Sequence, residues 1–405
     1  MSAHILLVAD GRSPTALSWI AHLQALKYRV GLVSTFPCPQ PEGVQDFYIL
    51  PVALSRLSRS VPASAPSKNH LSSPSRIRTV IRRFTPALQS LRYWVGPLTV
   101  LRFAWAYRRL VQALKPDLVH ALRIPFEGML GSYTPGGIPF LAATWGNDLT
   151  LHAQGSPLMR TFTKRCLNRA DGFSADTHRD VRLAAEWGLA PGAPTLAVPG
   201  AGGLDLDAIQ GAEGFDPTSY NIPAVGAWVV NPRGLRPGSV HQDVFFAAIP
   251  AILAAHPEAH FICPGLAGVT QADNWVAQFD IGANTHLLPK LPQPALWSLY
   301  QQAQLYVSPS SHDGTPNSLL EAMACGCFPV VGAIESLQEW IEDGVNGLLI
   351  DPRNPHSLAA AVRRALDSHD LRQRAASHNL GTVRQRAAQE VTRPLIDAFY
   401  QQFLP

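Results

Sequence analysis

The feature that most constrains the fold of this 405-residue chain is a regular alternation of short apolar runs with helical stretches. Runs of four to seven apolar residues bounded by turn residues are typical of buried strands. Strands buried on both faces indicate parallel sheets covered by helices on either side. The runs form two series, at 5–9, 30–33, 47–50, 117–121, 140–144, 172–175 and 195–198, and at 224–230, 260–263, 285–288, 305–308, 328–331 and 347–350.

Two such series predict an α/β protein with two doubly wound, Rossmann-like domains that face each other across a cleft. We expect an N-terminal domain over residues 1–200 and a C-terminal domain over residues 201–382. A final helix within residues 383–405 is expected to pack back on the first domain. In sheets of this kind ligands bind beyond the carboxyl ends of the strands, so the residues that follow each strand are the candidates for chemistry.

Charge is unevenly distributed along the chain. Residues 1–200 carry 22 Lys/Arg and 10 Asp/Glu, a net charge of +12, whereas residues 201–405 carry 11 and 19, a net charge of −8. Residues 47–116 contain 12 Lys/Arg and no acid, and their helical part, 76–115, interleaves arginine with aromatic residues. This pattern favours an anionic membrane surface as a partner. No nucleic-acid-binding signature accompanies it, so we predict no nucleic-acid partner. The alternative is a solvated basic face with its aromatic residues in the core.

Several features bear on the compartment. The five cysteines are scattered, which suits a reducing environment, and Cys325 and Cys327 lack the spacing of a zinc site. No segment offers the ~20 apolar residues that span a bilayer, and the run at 5–9 is too short for a signal peptide. We therefore expect a cytoplasmic protein that lies peripherally on the inner face of the membrane. The Ser- and Pro-rich residues 55–75 are expected to be a mobile loop.

Two acids lie in and just before a predicted helix that follows the strand at 305–308. The segment is PSSHDGTPNSLLEAMACGCFPVV, with Asp313 before the helix and Glu321 inside it. Their carboxylates can accept hydrogen bonds from a polyhydroxyl ligand. The alternative is an ordinary helix with two unrelated acids.

Residue types around this helix predict where it begins and ends. Thr315 is expected to be the N-cap, with Pro316 at the first helical position. Gly326 is expected to end the helix, directly after its last turn. The backbone N–H groups of residues 317–319 then form an anion site suited to a diphosphate.

The segment resembles the donor motif of the retaining, nucleotide-sugar-dependent glycosyltransferases of GT-B fold, family four, also called glycosyl transferases group 1. That motif has a serine-rich turn, an acid followed by Gly-x-Pro, a glutamate eight positions after the acid, and Ala-Met-Ala-x-Gly-x-Pro-Val. The chain matches it at Ser310, Asp313, Gly314, Pro316, Glu321, Ala322, Met323, Ala324, Gly326, Pro329 and Val330. The first acid is usually glutamate in the family and is aspartate here.

The resemblance implies roles for these positions. Glu321 would hold the ribose hydroxyls of the donor. Asp313 would contact the donor sugar and, with Asp148, is expected to be one of two catalytic acids. The diphosphate would lie on the helix start, formed by Asn317, Ser318 and Leu319.

In the family an arginine and a lysine after the first strand of the second domain also neutralise the diphosphate. Arg233 matches the arginine. Gly238 stands where the lysine is usual, and Arg236 is expected to replace it.

Five further positions match the family less completely. Gly265 is expected near the nucleotide and Leu291 is expected to present backbone groups to the base, with turn and core roles as alternatives. Asp148, in a Trp-Gly-Asn-Asp string, is expected to contact the reacting sugar or the acceptor, unless it only caps its loop. Gly11 is expected beneath the donor phosphates. His120 is interpreted as a packed, structural histidine.

The resemblance therefore implies a retaining, hexosyltransferase-like enzyme. It would use a nucleotide-sugar donor and an acceptor that is a glycan or a lipid-linked saccharide, bound by the N-terminal domain. No cofactor and no metal are expected. Two alternatives share the fold: a nucleotide-sugar epimerase and a non-catalytic glycosyltransferase-like binding protein.

Overall fold

The structure, a computed structural model, describes residues 2–53, residue 55 and residues 85–404, with the backbone alone for residues 85–91. The expected mobile loop at 55–75, apart from Ser55, and residues 76–84 of the basic stretch lie outside the described residues. The chain divides into two compact units. The first falls within Met1–Ala175, Asp180–Ala197 and Leu395–Pro405, and the second within Asp176–Arg179 and Val198–Pro394.

The first unit is built on a seven-stranded parallel sheet with strand order β3-β2-β1-β4-β5-β6-β7. The strands are β1 (His4–Ala9), β2 (Arg29–Ser34), β3 (Asp46–Ile49), β4 (Leu118–Ala121), β5 (Phe140–Ala143), β6 (Gly172–Ala175) and β7 (Thr195–Ala197). The order reverses between β1 and β4, because β2 and β3 lie on one side of β1 and the later strands on the other.

Helices cover this sheet. Those within the first 197 residues are α1 (Pro14–Ala25), α2 (Thr85–Leu114), α3 (Pro157–Arg169) and α4 (His178–Trp187), with two π-helical turns at Ile124–Gly128 and Asp148–His152 and a short helical turn at Met129–Gly131.

The second unit contains a six-stranded parallel sheet with strand order β10-β9-β8-β11-β12-β13. The strands are β8 (Trp228–Val230), β9 (His260–Pro264), β10 (Thr285–Leu288), β11 (Leu305–Ser308), β12 (Phe328–Gly332) and β13 (Leu348–Ile350). The remaining helices are α5 (Leu206–Gln210), α6 (Gln242–Leu253), α7 (Thr270–Gln278), α8 (Gln293–Gln302), α9 (Asn317–Ala324), α10 (Glu335–Gln338), α11 (Pro355–Asp367), α12 (His369–Arg386) and α13 (Gln389–Gln401), with a 3₁₀ turn at Pro217–Tyr220.

The second sheet is buried on both faces. Val230 and Tyr306 belong to one apolar cluster, whereas their chain neighbours Val229 and Val307 belong to another. Successive side chains of a strand point to opposite faces, so the two clusters lie on either side of the sheet. The predicted α/β class with two Rossmann-like units is confirmed.

Two predicted elements have different limits in the structure. The strand predicted at 224–230 begins only at Trp228, because Pro223 and Gly226, whose φ is +113°, precede it. The final helix, predicted over roughly 383–403, begins only at Gln389. The chain breaks between α12 and α13, where Leu204 and Ala388 form a β-bridge.

The C-terminal residues 395–405 belong to the first unit. The hydroxyl of Tyr400 accepts a hydrogen bond from Trp19 Nε1 at 2.9 Å and lies 2.6 Å from His120 Nδ1. Tyr28 donates its hydroxyl proton to Asp397. These contacts fix the end of α13 against the first sheet.

Within the described residues, every helix is too short or too polar to cross a bilayer.

Candidate functional site

Two loops follow neighbouring strands at the point where the strand order of the second sheet reverses. β8 leads into residues 231–241, and β11 leads into residues 309–316 before α9 begins. Such reversal points leave a crevice at the carboxyl ends of the strands, and ligands of open α/β sheets bind there.

Arg233 and Asp313 come from these two loops and form a buried ion pair. Arg233 Nη2 donates to Asp313 Oδ2 at 2.5 Å, and the two side chains are 7% and 14% exposed. Arg233 Nη1 also donates to the hydroxyl of Ser318 at 3.3 Å, in the first turn of α9. Burial opposes the charge of Arg233, but Asp313, together with Tyr306 and Tyr300, outweighs this and raises the pKa of the guanidinium. A fixed positive charge therefore lies at the start of α9.

Buried amides hold the backbone of the Arg233 loop. Asn231 Nδ2 donates to Gln242 Oε1 at 2.7 Å, and Gln242 Nε2 donates to the carbonyl of Gly234 at 2.8 Å. The N–H of Arg233 donates to Asn231 Oδ1 at 3.3 Å. Gln242 and Asn231 were not predicted, and an amide directly after a buried strand is the signal that could have pointed to Asn231.

The start of α9 differs from the prediction. Pro316 is the N-cap and no side chain caps the helix, so Thr315 does not have the expected role. The Thr315 hydroxyl instead donates to the carbonyl of Asp176 at 2.6 Å and accepts from Trp340 Nε1 at 2.9 Å. The N–H groups of Asn317 and Ser318 are thus left for a ligand, whereas that of Leu319 donates to the carbonyl of Pro316 at 2.9 Å. The helix dipole favours an anion at this position. Gly326, with φ +88°, follows the last turn as predicted.

The Asp313 carboxylate is held from several sides. Ser310 Oγ donates to Oδ2 at 3.3 Å, and the N–H of Gly314 donates to Oδ1 at 3.2 Å. Ser336 Oγ donates to the carbonyl of Asp313 at 2.8 Å. Aspartate, although it is one methylene shorter than glutamate, thus reaches Arg233.

Glu321 lies in the second turn of α9 and is buried. Its Oε1 accepts a hydrogen bond from Gln293 Nε2 at 2.9 Å, at the start of α8. Burial raises the pKa of the Glu321 carboxyl, and Gln293 and Trp297 partly offset this. Gln293 was not predicted, although it comes two residues after Leu291 in the loop that follows β10.

Gly238 and Arg236 lie on the same loop as Arg233. Gly238 has φ +81°, a backbone conformation that residues with a side chain rarely adopt, and open space lies around its Cα. Arg236 is exposed, and its Nε donates to the carbonyl of Arg233 at 3.2 Å. The loop therefore carries two guanidinium groups.

Gly265 follows β9 and Leu291 follows β10, both at the edge of the sheet where the strands have their carboxyl ends. Gly265 is exposed with φ +82°, and its N–H donates to the carbonyl of Leu288 at 2.9 Å. The side chain of Leu291 is in the apolar core, so only its backbone is left to contact a ligand.

In the first unit, Gly11 follows β1 at the reversal of the strand order. Its N–H donates to Ser34 Oγ at 3.1 Å, and a side chain at this position would meet Cys38 Sγ at 2.7 Å. Asp10 binds Arg12 through both carboxylate oxygens, each at 3.0 Å. A side chain at position 11 would therefore have to displace Cys38, and the N–H of Gly11 already has a partner.

Asp148 is fully buried. Its Oδ1 accepts from Arg123 Nε at 2.8 Å and its Oδ2 from the N–H of Trp145 at 3.2 Å. Burial raises the pKa of the Asp148 carboxyl, and Arg123 partly offsets this. In this arrangement Asp148, whose side chain is 0% exposed, positions Arg123, whose side chain is 35% exposed.

His120 is also fully buried, between Tyr400 and Ser174. Burial lowers its pKa to about 3, so the ring is neutral. Its packing supports the interpretation of His120 as structural.

A buried acid of the first unit, Glu127, was not predicted. The hydroxyl of Thr35 donates to its Oε1 at 2.8 Å, and burial raises the pKa of Glu127 to about 7, while Arg123 and Thr35 partly offset this. Its neighbour Phe126 has φ +71°, a strained conformation of the kind found at functional sites. An acid in the loop after β4, next to the strand-order reversal, is the signal that could have found it.

Comparisons with known proteins decide the family. Residues 10–201 match the profile described as "Glycosyl transferase 4-like domain", and residues 239–379 match "Glycosyl transferases group 1". The chain belongs to the group 1 glycosyltransferases.

Relatives of this glycosyltransferase include D-inositol 3-phosphate glycosyltransferase from Thermobispora bispora, 30% identical over 36% of this chain and 36% of that protein. O-antigen chain mannosyltransferase B from Escherichia coli is 30% identical over 27% of this chain and 28% of that protein. The matched segments thus span about a third or less of these relatives' length.

Two solved structures share the fold along nearly the whole chain. Sucrose-phosphate synthase from Thermosynechococcus elongatus has a TM-score of 0.71 and 16% identity, with 99% of both chains covered. HepE from Anabaena in complex with UDP-glucose has a TM-score of 0.71 and 14% identity, with 98% of this chain and 99% of that chain covered. The predicted GT-B fold and family are confirmed.

Proposed function

We propose that the protein transfers a sugar from a nucleotide diphosphate sugar to an acceptor with retention of the anomeric configuration. The observation that carries the proposal is the buried Arg233–Asp313 pair at the uncapped start of α9, with Glu321 inside the same helix. The helix and the loop before it thus combine an anion site with two carboxylates that can accept hydrogen bonds from hydroxyl groups.

The donor diphosphate is assigned to the start of α9 in the second unit. The N–H groups of Asn317 and Ser318 would donate hydrogen bonds to its oxygens, and Arg233 and Arg236 would neutralise its charge. When the glycosidic bond to the diphosphate breaks, its electron pair passes to the leaving oxygen, and positive groups fixed nearby stabilise that charge. The HepE neighbour was solved with UDP-glucose, which supports a nucleotide sugar as the donor class.

The nucleoside and the sugar are assigned to the two acids. Glu321 would accept hydrogen bonds from the ribose hydroxyls, with Gly265 and the backbone of Leu291 near the rest of the nucleoside. Asp313 would contact the donor sugar, oriented by Arg233. No metal is part of this proposal, because Arg233, Arg236 and the helix start supply the positive charge. Transfer should then persist in excess EDTA.

The acceptor is assigned to the first unit, around the Asp148–Arg123 pair. We propose a glycan or a lipid-linked saccharide as the acceptor and the cytoplasm, next to the inner face of the membrane, as the location. Asp148 would act there by holding Arg123.

A thermal-shift screen of nucleotide sugars tests the donor assignment, since a ligand that binds only the folded protein raises its apparent stability. Glu321→Ala should remove both the shift and the transfer of sugar while circular dichroism shows an intact fold. Glu342→Ala, at an exposed acid of the same unit, is the control. Full transfer activity in the Glu321 variant would exclude this assignment.

Incubation with donor alone separates the proposal from its rivals. An epimerase would convert the nucleotide sugar without any acceptor. A non-catalytic binding protein would give the thermal shift but no product with any acceptor.

A further inference from the structure

Helix α2 of the first unit has an exposed apolar surface that no function described so far uses. Trp94, Leu98, Leu101 and Trp105 are 51%, 48%, 50% and 63% exposed. Ten large apolar side chains among the described residues are at least 39% exposed, and four of them lie on this one helix.

The spacing of the four residues places them on one face. They follow each other at intervals of four, three and four residues, which is one stripe on a helix of 3.6 residues per turn. We name these four side chains the α2 stripe. A different face of α2, formed by Val100, Ala104, Tyr107 and Val111, is buried against the first unit. The helix is therefore held by its buried face, and the α2 stripe points away from the core.

Arginines flank the α2 stripe on both sides. At about 100° per residue, Arg102 and Arg109 lie on one flank and Arg108 on the other. All three are exposed, and the Arg109 guanidinium lies 3.7 Å from the ring centroid of Trp105. The helix Thr85–Leu114 contains no acid.

We propose that the α2 stripe is a docking surface for a bilayer that contains anionic lipids. Apolar and indole side chains at the centre would enter the boundary between headgroups and acyl chains, and the flanking arginines would contact lipid phosphates. Charge complementarity favours this occupant over a second copy of the chain, since two such faces would place arginines against arginines. The inference goes beyond the transfer reaction and needs no bound substrate.

Co-sedimentation of the full chain with vesicles tests this. We expect binding to phosphatidylcholine vesicles that contain phosphatidylglycerol and much weaker binding to phosphatidylcholine alone. Each arginine near an anionic surface contributes roughly fivefold to affinity, so the preference should be large at about 0.05 M NaCl and small at about 0.5 M. Tryptophan emission should shift to shorter wavelength on binding.

Substitutions on the α2 stripe keep the test specific. The double variant Trp94→Ser with Trp105→Ser should bind at least roughly tenfold more weakly, since it removes the two largest apolar contacts. The triple variant at Arg102, Arg108 and Arg109, each to Gln, should lose the preference for anionic vesicles. Val225→Ser and Arg363→Gln, at exposed positions of the second unit, should bind like the wild type.

Three outcomes would overturn the proposal. They are no vesicle binding, equal and salt-insensitive binding to neutral and anionic vesicles, and unchanged binding in the double serine variant. If light scattering shows a dimer that this variant converts to a monomer, with no vesicle binding, the α2 stripe is a contact between copies and not a membrane surface. Glu321→Ala should bind vesicles normally, so failure of this proposal and failure of the transfer assignment are distinguishable.

Discussion

Arg233 donates to Asp313 across the two loops that leave β8 and β11, and the same guanidinium reaches Ser318 at the start of α9. The arginine proposed to bind the diphosphate and the acid proposed to bind the sugar are therefore the two members of one ion pair. A change at either residue should affect both parts of the donor.

Replacing Arg233 with lysine should separate charge from geometry. Lysine keeps the positive charge but lacks the planar fork that contacts Asp313 and Ser318 together. We expect kcat/KM for transfer to fall by roughly 10²- to 10³-fold, the size of effect seen when one fixed donor to a developing anion is removed. Arg363→Lys, at an exposed position of the same unit, should leave steady-state kinetics unchanged. Wild-type kinetics in the Arg233 variant would show that the pair only supports the loop.

Arg236, and not a residue at position 238, should supply the second charge for the diphosphate. Arg236→Ala should weaken donor binding by about tenfold, measured by titration calorimetry. Adding Gly238→Lys to that variant should not restore it, because Gly238 has φ +81° and a side chain there costs about 1–2 kcal/mol. Recovery of donor affinity in the double variant would contradict this.

Gly314 should tolerate no side chain. A Cβ at this position would overlap the carboxylate of Asp176, whose Oδ2 accepts from the N–H of Thr315 at 3.1 Å. We expect Gly314→Ala to lower the free energy of unfolding by about 1–3 kcal/mol, measured by urea denaturation. Gly381→Ala, in α12 with open space around it, should instead raise it by about 0.5–1 kcal/mol. Equal effects would mean that Asp176 moves aside easily.

The strands could be predicted from the sequence because a buried parallel strand is a local pattern. Each of the thirteen strands in the described part of the chain corresponds to a predicted strand. Asp313 and Glu321 could be placed by their positions before and inside one helix. Contacts between distant segments could not be predicted. Thr315 is of a residue type that often caps helices, yet its hydroxyl is hydrogen-bonded to the carbonyl of Asp176 and to Trp340. Asp148 is paired with Arg123, which lies 25 residues earlier in the chain.

Glu127 should make the stability of the protein fall as pH rises toward neutrality. Burial raises its pKa in the folded protein to about 7, above the ordinary value of 4.5. Between these pH values the folded state holds a proton that the unfolded state releases. The contribution of Glu127 to stability is therefore fully present below about pH 4.5 and is lost as pH rises through about 7. The loss from this group is at most about 1.4 kcal/mol per pH unit.

Glu127→Gln removes the titration and keeps an acceptor for Thr35. Urea denaturation at about pH 5 and about pH 7.5 should show a smaller difference for this variant than for the wild type. Identical pH dependence in the two proteins would show that Glu127 does not retain its proton in the folded state.

The C-terminal contact has a practical consequence for dividing the chain. The first unit is assembled from Met1–Ala175, Asp180–Ala197 and Leu395–Pro405. Splitting the gene after residue 197 would therefore yield an incomplete half, with Trp19 and His120 deprived of the Tyr400 hydroxyl that they share. A soluble first half would need residues 395–405 returned to it, either as a separate peptide or by circular permutation.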